Sequence, residues 1–316
     1  MCKNVSGTTT VKPVQMSVAI GEVRFKNPVM TASGTFAYGV EFSHLMDLNA
    51  IGGLVVKGIS MEPIKGNPPP RIYETSSGML NAIGWQNIGA IEFVTKKLPI
   101  LRNYQTNVVV NVVGFTLKDY LEVTRFLNDC PGIAALELNI SCPNVKKGGF
   151  HFNKDPRDTY KVTAQTRKAS KRLPLWVKLS PNVTDIGEFA RACEEAGAEA
   201  VSVVNTFVGM AIDVEKLRPR LRYVTGGLSG PAIKPLAVRM VWETCQAVKI
   251  PVIGVGGIAT TEDALEFLLA GARAVQVGTA NFYNPSASQQ IALGLEEYCR
   301  SHCVEDINEL VGALCV

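Results

Sequence analysis

The chain has 316 residues, of which 47% are hydrophobic and 19% are charged, and its formal net charge is +4. This length permits a large core, built either as two ordinary domains or as one α/β barrel of ~250 residues with insertions, and we favour a single barrel domain over residues 1–316. The small net charge excludes the clustered basic excess that is typical of nucleic-acid-binding proteins.

The first fifteen residues are polar and rich in threonine. They lack the apolar run of a signal peptide and the ~20 apolar residues of a transmembrane helix. We therefore expect a mobile polar N-terminus over residues 1–15, no contact with a membrane and a cytoplasmic location.

The first predicted element is a short β-hairpin. Its strands, Val18–Ile20 and Val23–Phe25, flank a Gly21-Glu22 turn, and we expect it to cover the bottom of the barrel.

Eight apolar runs rich in β-forming residues follow along the chain. They alternate with helical patterns, which is the βαβ order of a parallel sheet, and their near-continuous apolar character indicates burial on both faces. Eight such units favour a closed (β/α)8 TIM barrel over an open doubly wound sheet. The predicted strands are Pro28–Thr31, Gly53–Lys57, Asn107–Val113, Ala134–Ile140, Leu175–Leu179, Ala200–Val204, Pro251–Val255 and Ala274–Val277. The predicted helices are Asn87–Leu98, Leu117–Asn128, Pro156–Arg172, Asp185–Ala196, Ala232–Val248 and Glu262–Ala270.

Three connections, Ile59–Ile88, Ser141–Asp155 and Asn205–Gly230, are longer than a barrel needs. All three leave carboxyl ends of strands, the face on which this architecture places its active sites. We therefore expect these long loops to build a pocket and its lid.

Glycine-bearing loops follow the last two predicted strands. Gly256-Gly257 comes after the seventh strand and Gly278-Thr279 after the eighth, while Gly226–Gly230 precedes both. Backbone N–H groups at the start of a helix bind anions, and the loops after strands seven and eight are where barrels hold phosphate. The alternative is that the glycines only form tight turns, but we favour a phosphate site.

Polar residues stand at or near the carboxyl ends of the first six strands. Buried lysines and amides are costly without partners, so their convergence on one axis favours a bound anion or an electron-rich ring. Ion-paired or snorkelling side chains are the ordinary alternative. The residues are Ser33, Lys57, Asn111, Asn139, Lys178, Asn205 and Thr206.

Cys142 directly follows the fourth strand. Pro143 after it cannot donate to a sheet ladder and pushes Cys142 towards an extended conformation, so its thiol is placed to face a ligand. A small buried hydrophobe is the alternative for any free cysteine.

The other cysteines do not suggest a metal site or a disulfide framework. All eight are spread over the chain, which favours mostly free thiols in a reducing compartment. Cys299 and Cys303 have the spacing of two residues on one helix face, and Cys315 beyond them completes no common metal or iron–sulfur pattern. Since no histidine lies at a predicted strand end, we expect no metal and no metal-dependent hydrolysis.

Several motifs together resemble dihydroorotate dehydrogenase of the cytosolic class, over nearly the whole chain from Val18 onward. The Asn-Ala-Ile-Gly and Ser-Cys-Pro-Asn motifs, in this order, are the most specific part of the resemblance. Cys142 indicates the class, because the membrane-bound, quinone-using class has serine at that position. The motifs are Lys57-Gly58, Asn81–Asn87, Asn139–Asn144, Val177–Asn182, Asn205-Thr206, Gly227–Gly230, Gly256-Gly257 and Gly278-Thr279.

The resemblance implies an FMN that lies across the barrel mouth and a substrate beside it, with Cys142 as the general base that removes the C5 proton of dihydroorotate. FMN would contact Ser33, Lys57, Gly58, Asn111, Asn139, Lys178, Val204, Gly230, Gly256, Gly257, Gly278 and Thr279. Dihydroorotate or orotate would be held by Lys57, Asn81, Ala82, Ile83, Gly84, Trp85, Asn139, Asn205 and Thr206.

Asn81–Asn87 and Asn205–Asp213 resemble the heteromeric, NAD-linked branch of this class. That branch implies oxidation of (S)-dihydroorotate in pyrimidine biosynthesis, with electrons passed to NAD by an iron–sulfur flavoprotein subunit that carries FAD and a [2Fe–2S] cluster. It also implies a homodimeric core within a heterotetramer. The alternatives are a fumarate-linked homodimeric enzyme, a dihydropyrimidine dehydrogenase-like enzyme and, more remotely, a non-redox phosphate-binding barrel lyase or synthase.

Overall fold

The computed structural model describes residues 13–140 and 152–315. Eight parallel strands form a closed barrel, and the other strands lie at its two ends. In chain order the strands are β1 Val18–Ile20, β2 Val23–Phe25, β3 Val29–Thr31, β4 Gly53–Ile59, β5 Ile72–Thr75, β6 Gly78–Asn81, β7 Asn107–Val112, β8 Ala135–Asn139, β9 Leu175–Lys178, β10 Ala200–Val203, β11 Phe207–Gly209, β12 Ile212–Asp213, β13 Arg218–Pro219, β14 Gly226–Ser229, β15 Val252–Val255 and β16 Ala274–Val277.

Helices surround the barrel, and polar residues begin several of them. Thr116 and Asp119 form a capping box at the start of one helix, and Thr260 and Asp263 form another. The helices are α1 Ala90–Glu92, α2 Leu98–Leu101, α3 Leu117–Asn128, α4 Pro156–Ala169, α5 Ile186–Glu195, α6 Lys234–Ala247, α7 Thr261–Leu269, α8 Ala280–Tyr283 and α9 Ala287–Ser301; the π-helical turn Phe93–Lys97 joins α1 to α2.

The barrel closes in the order β3, β4, β7, β8, β9, β10, β15, β16, with β16 pairing back to β3. These are the eight predicted strands, and the predicted (β/α)8 barrel is confirmed. Their registers set Asn139 beside Lys178 and Lys178 beside Ser202, so polar residues of three neighbouring strands lie at one level. This level is close to the carboxyl ends of the strands.

The N-terminal hairpin forms as predicted. β1 and β2 pair in antiparallel fashion, and the Phe25 ring lies 5.8 Å from that of Trp176, near the amino end of β9. The hairpin therefore covers the bottom of the barrel. Residues 1–12 lie outside the described part of the chain, while Gln15 pairs with Asp306.

The structure corrects the predicted helices in several places. The first, predicted over Asn87–Leu98, begins at Ala90, contains the π-helical turn Phe93–Lys97 and ends at Leu101, and the short α8 was not predicted. α4 ends at Ala169, not Arg172, because Ser170 leaves the helical conformation and its buried side chain donates to the carbonyl oxygen of Leu173. α9 was not predicted. Its buried face includes Ile291, Leu295 and Cys299 and packs near β3, completing the helical layer where the barrel closes.

A second sheet, also not predicted, lies at the carboxyl end of the barrel. Its antiparallel order is β11-β14-β6-β5, so it combines strands from two of the long connections that we expected to build a pocket. The β6–β14 pairing joins segments about 150 residues apart in sequence, and such pairing leaves no local sequence signal. The third long connection lies mostly outside the described residues. No helix within residues 13–140 or 152–315 is long and apolar enough to cross a bilayer.

Candidate functional site

A buried carboxylate, that of Glu137, lies inside the barrel and is not among the predicted site residues. Its Oε1 accepts a hydrogen bond from Asn111 Nδ2 at 2.7 Å, and its Oε2 accepts from Ser202 Oγ and Gln276 Nε2, each at 2.6 Å. The side chain is 0% exposed. Burial of a carboxylate is costly without hydrogen-bond partners. The three donors, each from a different strand, offset that cost for Glu137.

Lys178 ends β9 on the same interior level. Its Nζ lies 3.3 Å from Gln276 Oε1, 3.5 Å from Ser33 Oγ and 4.0 Å from Glu137 Oε1. Burial lowers the pKa of Lys178, and the negative charge of Glu137 opposes that shift. The structure thus brings together the predicted residues Ser33 and Lys178, with a counter-charge that was not predicted.

Three predicted asparagines form a hydrogen-bonded row beside this charge pair. Asn139 Nδ2 donates to Asn111 Oδ1 at 3.2 Å, and Asn205 Nδ2 donates to Asn139 Oδ1 at 3.4 Å. Tyr120 fixes the backbone at Asn139, since its hydroxyl donates to the Asn139 carbonyl oxygen at 2.7 Å. The row therefore runs from the Glu137 carboxylate towards the second sheet.

Lys57 and Gly58 lie in β4 on another side of the barrel mouth. Burial lowers the pKa of the half-buried Lys57, and the nearby positive charge of Arg71 lowers it further. A Cβ built on Gly58 would lie 2.8 Å from Val113 Cγ1 and 3.1 Å from Asn111 Oδ1, so only glycine leaves room there. Arg71, which was not predicted, places a second cation near Lys57.

The second sheet brings two predicted substrate segments together. β6 pairs with β14, where Asn81 Nδ2 donates to the Gly227 carbonyl oxygen at 3.2 Å. A Cβ on Gly227 would overlap Thr206 Oγ1, so Thr206 is in close contact with the same strand. Asn182 also holds Thr206, by donating to its carbonyl oxygen at 3.1 Å.

The segment Ala82–Trp85 is shaped by Asn67, from the proline-rich part of the same loop. Asn67 Nδ2 donates to the Ala82 carbonyl oxygen at 2.8 Å. The Asn67 backbone N–H donates to the Ile83 carbonyl oxygen, also at 2.8 Å. Gly84 has a φ of 73°, and a Cβ there would lie 2.5 Å from Asn67 Cγ. The Trp85 ring lies 5.0 Å from that of Phe115.

The glycine loops predicted to hold phosphate converge. A Cβ on Gly257 would lie 2.9 Å from both the Gly230 carbonyl oxygen and the Lys234 backbone nitrogen, at the start of α6. A Cβ on Gly230 would lie 3.4 Å from Thr279 Cγ2, and Thr279 Oγ1 donates to Ser229 Oγ at 2.8 Å. We call the set Gly230, Gly256, Gly257, Gly278 and Thr279 the glycine cradle.

Gly256 links the cradle to Val204, the predicted residue after β10. A Cβ on Gly256 would lie 2.7 Å from Ala237 Cβ and 3.7 Å from Val204 Cγ2. The Val204 backbone N–H donates to the Val255 carbonyl oxygen at 2.9 Å, which holds it beside the seventh barrel strand.

The cradle contains a matched pair of glycines for mutation. Gly257 has a φ of 78°, and a Cβ would meet the backbone of α6, so Gly257→Ala is expected to destabilise the protein by more than about 1 kcal/mol. At Gly278 the nearest atom to a Cβ is Ala32 Cβ at 3.5 Å, an ordinary contact, and Gly278→Ala should change stability by less than about 0.5 kcal/mol. Urea unfolding of both variants measures the difference. A loss at Gly278 equal to that at Gly257 would contradict this description.

The described thiols are poor candidates for an active base. Burial raises the pKa of Cys193 and of Cys245 to about 12 and that of Cys299 to about 11, so these three are protonated at neutral pH.

Cys303 follows α9 rather than lying within it, so the expectation that it shares a helix face with Cys299 is wrong. Cys303 is disulfide-bonded, whereas five described cysteines are free thiols. Cys142, the predicted base, lies outside the described residues. Residues 13–140 and 152–315 contain no cluster of three metal-ligating side chains.

Ser202, Gln276 and Glu137 could have been suspected from the sequence, since each is a polar residue within a mostly apolar predicted strand. Arg71 and Asn67 gave no such signal, because they lie in a loop whose path depends on the second sheet. Together the buried lysine, the asparagine row and the cradle form one end of the barrel, able to hold a polar ring and an anionic group.

Comparison with known proteins identifies the family of this chain. Residues 15–299 match the family model of dihydroorotate dehydrogenase. The chain is 58% identical over 304 residues to a protein of Trichlorobacter lovleyi, covering 96% of this chain and 99% of that one. It is 56% identical over 299 residues to proteins of Geotalea uraniireducens and Geobacter sulfurreducens, covering 95% of this chain and 98% of each. All three relatives are named dihydroorotate dehydrogenase B (NAD(+)), catalytic subunit. The chain therefore belongs to the dihydroorotate dehydrogenase family.

Proposed function

We propose that this chain oxidises (S)-dihydroorotate to orotate in pyrimidine biosynthesis, as the FMN-bearing catalytic subunit of an NAD-linked, cytoplasmic enzyme. The observation that carries the proposal is the convergence of a buried lysine, an asparagine row and a glycine cradle at one end of the barrel. Its relatives' names, which specify a catalytic subunit and NAD, support the branch.

The described residues fit FMN. The cradle gathers backbone from three loops at the start of α6, where side chains would block an approaching phosphate. Lys178 supplies a buried positive charge at the level of the asparagine row. FMN, when bound, would accept the hydride that leaves C6 of the substrate, and a cation near its pyrimidine edge favours its reduced form.

The remaining chemistry is assigned to side chains of this chain. Cys142 would remove the C5 proton of dihydroorotate as a thiolate, since the thiol itself is not basic. Lys57 would bind the substrate carboxylate, with Arg71 adding to the local positive potential. The substrate ring presents carbonyl and N–H groups, which Asn139 and Asn205 can bind through their amides.

The loops of the second sheet would complete the substrate pocket. Asn81 and Thr206 approach each other across β14, and Asn67 holds the backbone of Ala82 and Ile83 in place. This arrangement supports a lid built from two connections, which limits water at the reacting carbons.

The partner subunit of the proposal is an iron–sulfur flavoprotein that carries FAD and a [2Fe–2S] cluster, in a heterotetramer around a homodimer of this chain. The relatives' description as catalytic subunits supports a partner. Exposed apolar side chains on and beside the second sheet offer surface that a subunit contact could cover; they include Val208 at 49%, Ile212 at 55%, Val214 at 69% and Leu217 at 88% exposure.

The function is tested by steady-state assays of the purified chain. We expect dihydroorotate to reduce an artificial dye but not NAD, because the sequence has neither a Gly-x-Gly-x-x-Gly fingerprint after a strand nor a cluster-binding cysteine pattern. Adding the iron–sulfur flavoprotein subunit should produce NADH. Strong NAD reduction by the single chain would refute the heteromeric assignment.

The same assay separates the alternatives. Efficient fumarate reduction would instead place the chain in the fumarate-linked branch. Oxidation of dihydrouracil in preference to dihydroorotate would indicate the dihydropyrimidine dehydrogenase-like activity. A preparation without flavin absorbance or dye reduction would favour a non-redox barrel enzyme.

A further inference from the structure

Glu137 has no part in the reaction as assigned above, although it is fully buried between the lysine and the asparagine row. We propose that Glu137 is a positioning residue of the flavin and substrate sites: its carboxylate sets the orientation of Gln276 and of the asparagine row and is the counter-charge of Lys178. This inference rests on the proposed FMN-dependent function.

The carboxylate determines which way the neighbouring amides face. An ionised carboxylate only accepts hydrogen bonds, so the amide nitrogens of Asn111 and Gln276 must point towards Glu137, as they do at 2.7 and 2.6 Å. Their oxygens then face away from it. Gln276 Oε1 is left facing Lys178 Nζ at 3.3 Å.

The orientation passes along the asparagine row. Since Asn111 Nδ2 is turned to Glu137, Asn111 Oδ1 accepts from Asn139 Nδ2 at 3.2 Å, and Asn139 Oδ1 accepts from Asn205 Nδ2 at 3.4 Å. Asn111 therefore donates to Glu137 itself, and Asn139 and Asn205 each donate to the asparagine before them in the row. A substrate that hydrogen-bonds to these amides therefore meets a fixed pattern of donors and acceptors. The Glu137 carboxylate sets that pattern, because it fixes the orientation of the first amide in the row.

Glu137 also supplies charge. Lys178 is 4% exposed, and the two side chains nearest its Nζ are neutral: Ser33, which follows β3, and Gln276 on β16. Ser202 on β10 is neutral as well. Among the described residues, Glu137 is the ionisable group whose charge acts on Lys178, and it favours the protonated lysine against the effect of burial.

The test is Glu137→Gln, which keeps the size of the side chain and removes its charge, measured in the FMN-loaded full chain. The slope of the flavin midpoint potential against pH counts protons taken up per two electrons. We expect this number to rise from about one in the unmodified protein to about two, because Lys178 would be neutral before reduction and take up a proton with it. Orotate affinity should fall by about tenfold or more, since an amide at position 137 no longer sets the direction of the row.

Two controls separate charge from packing. Ser202→Ala removes one neutral donor to Glu137, keeps both charges and should retain about one proton per two electrons. In the double variant Glu137→Gln with Lys178→Met, the additional proton should disappear. If it persists, the lysine is not its site and the inference is wrong.

A measurement on the unmodified protein covers the case in which Glu137→Gln does not hold FMN. The ¹³C resonance of the Lys178 ε-carbon, assigned by its loss in Lys178→Met, reports the charge of the amine. A protonated lysine at neutral pH supports the inference, and a neutral one contradicts it. If the unmodified chain neither holds FMN nor oxidises dihydroorotate, the proposed function fails; if it does both while Glu137→Gln matches it in slope and orotate affinity, only the role of Glu137 fails.

Discussion

Replacement of Cys142 by alanine is expected to slow dihydroorotate oxidation by about 10²–10⁴-fold, because this is the usual cost of removing a positioned general base. FMN should remain bound, since the glycine cradle and Lys178 are contributed by other strands and loops. Anaerobic stopped-flow measurement of flavin reduction by dihydroorotate gives the rate, and absorbance of the purified variant gives the flavin content.

Two further variants make this result specific. Cys142→Ser should keep partial activity that increases towards high pH, because a hydroxyl loses its proton far less readily than a free thiol, whose pKa is about 8.5. Cys130→Ala is the matched control: its thiol lies near the end of α3 and donates to the Phe126 carbonyl oxygen, so the oxidation rate should be unchanged. An unaltered rate in Cys142→Ala would show that another group is the base.

Replacement of Lys178 by methionine is expected to lower the midpoint potential of bound FMN. The variant loses a buried cation, and the reduced flavin carries negative charge in a site with little water. Loss of one preorganised electrostatic contact costs about 2.7–4 kcal/mol, which for a two-electron couple corresponds to about 60–85 mV. Potentiometric titration against dyes of known potential measures the shift directly.

Lys26→Met controls for the loss of a positive charge anywhere in the chain. Lys26 Nζ donates to the carbonyl oxygens of Asn49 and Gln105, which precede β4 and β7 at the opposite end of the barrel. Its replacement should leave the potential unchanged. Equal shifts in the two variants, or none in Lys178→Met, would mean that Lys178 has only a structural role.

Local sequence pattern was sufficient for the barrel. Each barrel strand is a short apolar run bounded by turn residues, and each predicted helix has its own apolar periodicity. These patterns are local, so the elements can be located without any information on distant contacts. The same holds for Lys178, which ends a barrel strand, and for the glycine loops after the last two barrel strands, since the carboxyl ends of these strands must meet at one face. α9 was missed because no strand follows it in the chain, so the βαβ alternation that located the other helices does not extend to it.

The resemblance to a family suggested the roles of Cys142, of the cradle and of the Asn81–Trp85 segment, and the comparisons confirm the family alone. The roles of these residues in binding FMN and dihydroorotate remain predictions that the variants above address.

The amino-acid sequence was enough to predict the order of the eight barrel strands and the positions of polar residues along each of them. Which of those residues touch follows from the closed barrel. Glu137, Ser202 and Gln276 come from β8, β10 and β16, and barrel closure joins them into one hydrogen-bonded group. The second sheet likewise exists because β6 and β14 meet across the barrel mouth. Contacts between residues so far apart depend on strand register and closure, which no local pattern encodes.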